Sequence, residues 1–274
     1  MSCDYALLDS GALRKLERFG NRLLIRPAFQ AIWRVHNPEL WQRADAIFSR
    51  GEGQGSWKGK QLNPESWEVE IEKMRFHLKM TPFGHLGVFP EHALLWNWIR
   101  EKIASRKEKV KVLNLFAYSG GATLAAAAAG AQVTHLDAAK GMVSWAKENA
   151  LLNHLENHPI RWIVDDVTKF LIREKKRGVY YDAIIMDPPT FGRGAMGEVF
   201  KIEKDLFTLF DLSLALLSKN PLFFLFSTHT PGYTPVVLEQ LFMSLNLKKV
   251  QTGELILKGK PFSIPAGSFA AWIN

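Results

Sequence analysis

Tyr181-Asp182-Ala183-Ile184-Ile185-Met186-Asp187-Pro188-Pro189-Thr190-Phe191 carries an apolar run directly into an acid and two prolines. The run predicts a buried strand, Tyr181 to Met186. The strand must stop at Asp187, because each proline lacks an N–H and fixes its own φ, so neither strand nor ordinary helix continues through the pair. Two readings stand at this point. Asp-Pro is common turn chemistry between a strand and a helix. A rigid acidic turn at the carboxyl edge of an open α/β sheet also lies where such sheets bind ligands, and it suits holding a flat polar group beside a cofactor.

The same pattern repeats on both sides. Val110 to Ala117 reads as a strand, Ser119-Gly120-Gly121 as a tight turn, and the alanine-rich stretch to Ala129 as a helix closed by Gly130. Gln132–Asp137 predicts a second strand, Ala139–Leu152 a helix, Ile160–Asp165 a third strand, and Val167–Arg177 a helix with a basic last turn. Beyond Asp187, a helix is expected over about 204–218, a fifth strand over Leu222–Ser227 and a helix over Pro235–Leu245, with two closing strands, about 248–257 and 268–273. Strands alternating with helices mean a doubly wound, mostly parallel sheet. The last two strands have no helix between them, so one is expected to run antiparallel.

Residues 1–85 differ and are expected to form a small β-rich accessory region, with residues 86–274 as the main domain. Leu23 to Pro27 and Trp67 to Met80 read as strands. In the latter, Trp67, Val69 and Ile71, then Met74, Phe76, Leu78 and Met80, alternate with polar residues, and the phase slip between the two sets suggests a bulge. Gly51 to Ser56 reads as a flexible loop, and 91–107 as a helix leading into the main sheet.

The chain has 274 residues, 47% of them hydrophobic, which is enough for a large α/β domain with a substantial core. The net charge of +8 is spread along the chain, with 13 Lys/Arg against 10 Asp/Glu in the first 90 residues. That is compatible with nucleic acid and equally with a mildly basic surface. The single cysteine, Cys3, excludes an internal disulfide and a cysteine-based zinc site. No segment approaches the roughly 20 apolar residues that span a bilayer, and the N-terminus lacks a basic stretch followed by an apolar one. A cytoplasmic protein, without membrane or metal partners, is expected.

Four consecutive strands put a glycine turn or an acid at one edge. The first ends in the Gly120-Gly121 turn, where backbone and a helix N-terminus can approach a ligand. The spacing is neither the dinucleotide fingerprint nor a phosphate-cradling loop. The second ends in Asp137, 17 residues after Gly120, where a carboxylate can take both hydroxyls of a ribose. The third ends in Asp165-Asp166, placed to accept from an adenine amino group or to cap the next helix. The fourth ends in Asp187.

In combination, these elements resemble the class I S-adenosylmethionine-dependent methyltransferases, and within them the bacterial large-subunit ribosomal RNA methyltransferase group. The resemblance covers about residues 83 to 274. It rests on Asn114, Phe116, Tyr118, Ser119, Gly120 and Gly121, on Asp137, on Asp165-Asp166-Val167, and on Asp187 to Phe191. Upstream, Gly87-Val88-Phe89-Pro90-Glu91-His92 is similar to a segment that helps enclose the cofactor, although Glu91-His92-Ala93 stands where that group has Asp-Gln-Arg.

The resemblance implies a Rossmann-like seven-stranded sheet and S-adenosyl-L-methionine as cofactor. Phe89, Phe116, Tyr118, Ser119, Gly120 and Gly121 would lie around it, the last three facing its methionine part. Asp137 would bind ribose, Asp166 or Asp165 adenine, and Asp187 would sit nearest the methyl group. Asp187, Pro188, Pro189 and Phe191 would form the catalytic turn, and large-subunit rRNA would be the partner.

Some relatives methylate carbon 5 of cytosine through a cysteine after the fifth strand. Here that strand ends Phe226-Ser227-Thr228-His229-Thr230, so transfer to a base nitrogen is expected rather than thiolate attack on carbon. Alternatives are transfer to a protein or small molecule, or a non-catalytic cofactor- or RNA-binding module. His229 is either an assistant or structural. Gly192 to Glu198 is either a mobile lid, with Arg193 on phosphate, or a plain solvent loop. Arg75, His77, Lys79, Lys58 and Lys60, interleaved with Trp57, Phe76 and Trp67, are either a nucleic-acid surface or a solvated strand face.

Overall fold

The computed structural model describes residues 4–51, 54–59, 66–193 and 199–274, with no side chain described at 193. Cys3, Lys60, most of the 192–198 loop and part of the 51–56 loop therefore lie outside the described residues. The chain divides into two compact units, Met1–Ala93 with Ile256–Ala266, and Leu94–Leu255 with Gly267–Asn274.

The first unit holds β1 (Tyr5–Gly11), β2 (Arg14–Phe19), β3 (Arg22–Pro27), the short α1 (Pro38–Trp41), β4 (Ala46–Ser49) and β5 (Ser56–Gly59), in a sheet of order β1-β2-β3-β4-β5. β6 (Ser66–Ile71) and β7 (Met74–Lys79) form a separate antiparallel hairpin. Here the structure corrects the expected bulge. Ile71 pairs with Met74, and the two residues between them, Glu72 and Lys73, have φ of 50° and 63°. A two-residue turn with both φ positive is the tightest hairpin connection. It puts Val69 and Ile71 on the same buried face as Met74, Phe76 and Leu78. The phase slip is thus a reversal of direction.

Beneath the first sheet lies a buried charge cluster. Glu17, fully buried, accepts from Arg26 at 2.7 and 2.9 Å and from Tyr5 Oη at 3.1 Å, and pairs with Lys15 at 3.1 Å. Burial pushes its carboxyl up, but the charges and hydrogen bonds of Arg26 and Lys15 together hold it below its ordinary value.

The second unit begins one residue into α2 (Ala93–Ala104), which follows a 3-10 turn at Pro90–His92. There follow β8 (Lys111–Leu115), α3 (Gly121–Ala128), β9 (Gln132–Asp137), α4 (Lys140–Leu152), β10 (Ile160–Val164), α5 (Val167–Arg177) and β11 (Ala183–Met186). A small hairpin, β12 (Phe191–Arg193) with β13 (Val199–Lys201), precedes α6 (Ile202–Leu214), β14 (Phe223–Thr228), α7 (Pro235–Ser244), β15 (Val250–Leu257) and β16 (Ile264–Ile273).

The seven-stranded sheet has the order β10-β9-β8-β11-β14-β16-β15. Its first five strands are parallel and β16 runs antiparallel to β14. β11 and β14 are buried at every position, as strands covered on both faces must be. Among the described residues, no helix is long and apolar enough to cross a membrane.

This order fixes where a ligand can sit. The chain leaves β8 toward β9 and β10, then returns to β11 on the other side of β8. The crevice between the ends of β8 and β11 is therefore the topological switch point. Register brings the strand ends level: Leu115 pairs with Met186, Met186 with Phe226, Leu115 with Leu136, and Asp137 with Val164. One residue further on, Phe116, Asp187, Ser227, Asp137 and Asp165 all emerge at the carboxyl edge.

Candidate active site

The turn after β8 is tightly wound. Phe116, Tyr118 and Gly120 have φ of 55°, 50° and 94°. Left-handed backbone costs an L residue roughly 1–2 kcal/mol, so two non-glycine residues there mark a conformation imposed by the surroundings. Several contacts impose it. Ala117 N donates to Leu136 O at 3.0 Å, Gly120 N to Ala117 O at 3.0 Å, and the buried Asn149 Nδ2 of α4 to Ser119 O at 2.9 Å. Beneath the turn, Asn114 Nδ2 donates to Thr123 Oγ1, which lies 2.9 Å from His135 Nδ1. His135 is fully buried, and burial, with Lys147 adding, holds its pKa down to about 3.

The two glycines differ in purpose. A Cβ at Gly121 would meet the Trp96 ring at 2.8 Å, and one at Gly120 would meet Ala146 Cβ at 3.1 Å while also having to adopt positive φ. Gly121 lets the first turn of α3 close against α2, whereas Gly120 supplies the backbone bend.

Asp137 is the acid most completely built into this edge. Its Oδ2 accepts from Tyr118 N and its Oδ1 from Ala139 N, both at 2.9 Å. Burial raises its pKa, and the two backbone donors pull it back in part. A carboxylate offers about four acceptor sites, so these contacts leave each oxygen a further lone pair, which suits a vicinal diol.

Asp165 and Asp166 part company. Asp166 is the N-cap of α5, accepting from Lys169 N at 2.9 Å. Asp165 accepts from Asp166 N at 2.9 Å and forms an ion pair with Arg173.

Asp187 stands across the crevice. Ser227, buried at the end of β14, donates its hydroxyl to Asp187 Oδ1 at 2.7 Å. A second tie lies three residues on, where Thr190 Oγ1 and Thr230 Oγ1 are 2.8 Å apart, and Thr230 is itself held by Thr228 Oγ1 through its hydroxyl at 3.0 Å and its N–H at 3.1 Å. The Asp-Pro-Pro-Thr turn is thus clamped at one end by Ser227 within β14 and at the other by Thr230 just beyond it. His229 is exposed, with a ring nitrogen within 4.8 Å of an Asp187 oxygen. Pro188 is buried and Pro189 exposed, and the Phe191 ring is half exposed at the start of β12. The Phe116 ring contacts Phe200 at 5.3 Å and the Tyr118 ring lies 6.3 Å from Trp145.

Of the residues singled out from sequence, the second unit brings Phe116, Tyr118, Ser119, Gly120, Gly121, Asp137, Asp165, Asp166, Asp187, Pro188, Pro189 and Phe191 to one sheet edge. Phe89 belongs to the first unit, where its ring lies 5.3 Å from that of His85 and 6.0 Å from that of His92. Ser227, Thr230 and Asn149 were not anticipated. The one available signal was a hydroxyl-rich strand end, Ser227-Thr228-His229-Thr230, level with the acidic turn.

Comparison with known proteins agrees with this geometry. Residues 12–215 match the S-adenosylmethionine-dependent methyltransferase family, and the chain belongs to it. The ribosomal RNA large subunit methyltransferase K/L of Shewanella sp. (strain ANA-3) is 34% identical over 150 residues, which are 53% of this chain and 20% of that protein. The matched stretch is thus about a fifth of that relative's length. Among solved structures, the SAM-dependent methyltransferase from Agrobacterium tumefaciens superposes with a TM-score of 0.93 at 38% identity, over 99% of this chain and 91% of that one. SMU.776, a methyltransferase solved with SAH, shares the fold at 19% identity and a TM-score of 0.75, over 99% of this chain and 76% of that one. The cofactor is therefore S-adenosylmethionine, and the parallel sheet with its small β region is the fold of this family.

Proposed function

We propose that this cytoplasmic methyltransferase acts on a nitrogen of a base in ribosomal RNA. The observation that carries the reading is the pairing, across one switch-point crevice, of a backbone-built cradle at Gly120 and Asp137 with a clamped acid at Asp187. The likeness to a large-subunit rRNA methyltransferase supports the choice of substrate.

S-adenosylmethionine supplies a methyl group on a cationic sulfur. Asp137 uses its spare lone pairs to accept from the ribose hydroxyls. The glycine turn lets backbone approach the methionine part, and the first N–H groups of α3 favour the carboxylate end. Adenine would fall to the β10 edge. There Asp165 and Asp166 are the two candidate acceptors, Asp165 already paired with Arg173 and Asp166 already capping α5.

Asp187 works on the acceptor side. Ser227 holds Oδ1, and the carboxylate so fixed would accept a hydrogen bond from a base N–H. Accepting that hydrogen bond aims the nitrogen lone pair and gives the departing proton a place to go when the target is an exocyclic amine. Pro188 and Pro189 have no N–H of their own to compete for the base, and Phe191 offers a ring face. Nitrogen is already nucleophilic, which fits a strand end with Ser227-Thr228-His229 in place of a cysteine.

The test is transfer of labelled methyl from S-adenosylmethionine to protein-free large-subunit rRNA, followed by nucleoside analysis. Label on a base nitrogen is expected. Label in protein or in a small molecule, with none in RNA, would replace this reading.

A further inference from the structure

The first unit carries a surface whose chemistry is separate from the methyl-transfer edge. Residues 28–36, between β3 and α1, run over the end of β1. Ala12 N donates to Trp33 O at 2.7 Å, Leu13 N to Ala31 O at 2.9 Å, and Gln30 Nε2 to Pro265 O at 2.8 Å. Ala28 and Ala31 turn inward, against Leu257 and Ile264. The outward set is Phe29, Ile32, Arg34 and His36, with Ile32 80% exposed and Phe29 57%. The buried Asp9 locks the far end by accepting from His36 N, Asn37 N and Trp41 Nε1 at 3.1, 2.9 and 2.8 Å. A rigid, partly apolar stretch is thus held in water.

Cations and rings gather around it. The loop between β15 and β16 lays Phe262 against Trp33 at 5.8 Å and edge-on to His36 at 6.3 Å. That loop exposes Lys258 and Lys260, and Arg50 sits over the Phe29 ring at 5.1 Å. Neither 27–36 nor 255–266 contains an Asp or Glu. The β6–β7 hairpin, the other candidate nucleic-acid surface, contrasts with it. There Glu68 pairs with Arg75 at 2.5 Å and lies 3.8 Å from His77, Glu70 and Glu72 add further acids, and Phe76 is buried. Its charges are largely spent on one another.

We propose that the surface formed by residues 28–36 and 258–262 binds single-stranded RNA. Bases would stack on His36, Phe262 and Phe29, and phosphates would meet Arg34, Arg50, Lys258 and Lys260. Stacking rings interleaved with cations hold single strands with little regard to sequence, and the exposed Ile32 gains by being covered. The inference rests on RNA being the substrate and adds the place where the first unit grips it.

The test compares the full chain with two doubly reversed variants of equal charge change, Arg34→Glu/Lys258→Glu on this surface and Lys73→Glu/Arg75→Glu on the hairpin. Binding to a fluorescent 20-nucleotide oligoadenylate and to protein-free large-subunit rRNA is measured from low to moderate salt. The first variant should bind both at least tenfold more weakly, with a salt slope shallower by about 1.4, since each single-strand phosphate contact contributes about 0.7. The hairpin variant should stay within twofold of the parent. His36→Ala should weaken binding without changing the slope. If the parent binds RNA and Arg34→Glu/Lys258→Glu binds as well, the surface is wrong and the rRNA reading stands. If the parent binds neither RNA, the surface falls, and methyl transfer to rRNA decides the substrate separately.

Discussion

The two sides of the crevice are built from different materials. On the β8–β9 side, the groups facing the ligand position are set by backbone: left-handed residues at 116, 118 and 120, and an acid gripped by two main-chain N–H groups. On the β11–β14 side, geometry is set by side-chain hydroxyls, Ser227 on Asp187 and Thr230 on Thr190. A backbone-built cradle tolerates little change and suits an invariant cofactor. A hydroxyl-built clamp can be altered one atom at a time and suits orienting a particular acceptor. Changes on one side should therefore move cofactor affinity, and changes on the other should move turnover.

The sharpest separation is expected at Asp187. Asp187→Asn keeps the shape and one acceptor oxygen but loses the charge and the proton acceptor. Turnover should fall about a thousandfold, in the range of a lost general base, while calorimetric affinity for S-adenosylmethionine stays within threefold. Full activity in the Asn variant would remove Asp187 from the chemistry.

On the opposite side, Asp137→Ala should weaken cofactor binding by about 10- to 100-fold, since hydrogen bonds to a charged group contribute about 1.5–3 kcal/mol. Once S-adenosylmethionine is saturating, turnover should largely recover. An equal loss of turnover at saturation would erase the division between the two sides.

Ser227→Ala is a smaller intervention. It removes the Ser227 hydrogen bond to Asp187 Oδ1 without touching the acid, and should lower kcat about tenfold with an unchanged KM for the cofactor. A cofactor KM that rises instead would show the clamp serving the wrong side.

The weakest expected effect lies beneath the cradle. His135 is neutral when folded, with a pKa of about 3 against about 6.5 when unfolded. A depressed folded value means that the unfolded chain binds the extra proton, so this group's contribution is complete above pH 6.5 and is lost as pH falls toward 3. The expected slope is at most about 1.4 kcal/mol per pH unit. Denaturant titrations of the wild type and His135→Gln across that window should differ in this slope, and parallel curves would contradict the assignment.

The fold was legible where single strands carry the whole signal. Ala183–Met186 is continuously apolar because both faces are covered, and Asp187-Pro188-Pro189 ends it chemically. The first unit was harder. Its turns at Ala12-Leu13 and Glu72-Lys73 take positive φ without glycine or asparagine, so the usual hairpin marks are missing and β1 and β2 passed unread. In the site, the row of acids was visible because each ends its own strand. Their separate duties were not, since Asp137 and Asp166 differ only in what a distant or following N–H does with them. Ser227 and Asn149 act through residues 40 and 30 positions away, and such pairs appear only once strand order and register are set.

Mapping the rRNA methylations of cells with and without this protein tests the central claim most directly. The account predicts that one base-nitrogen methyl in large-subunit rRNA disappears with the protein, returns with the wild-type chain and fails to return with Asp187→Asn. Identical maps in the two cells would contradict it.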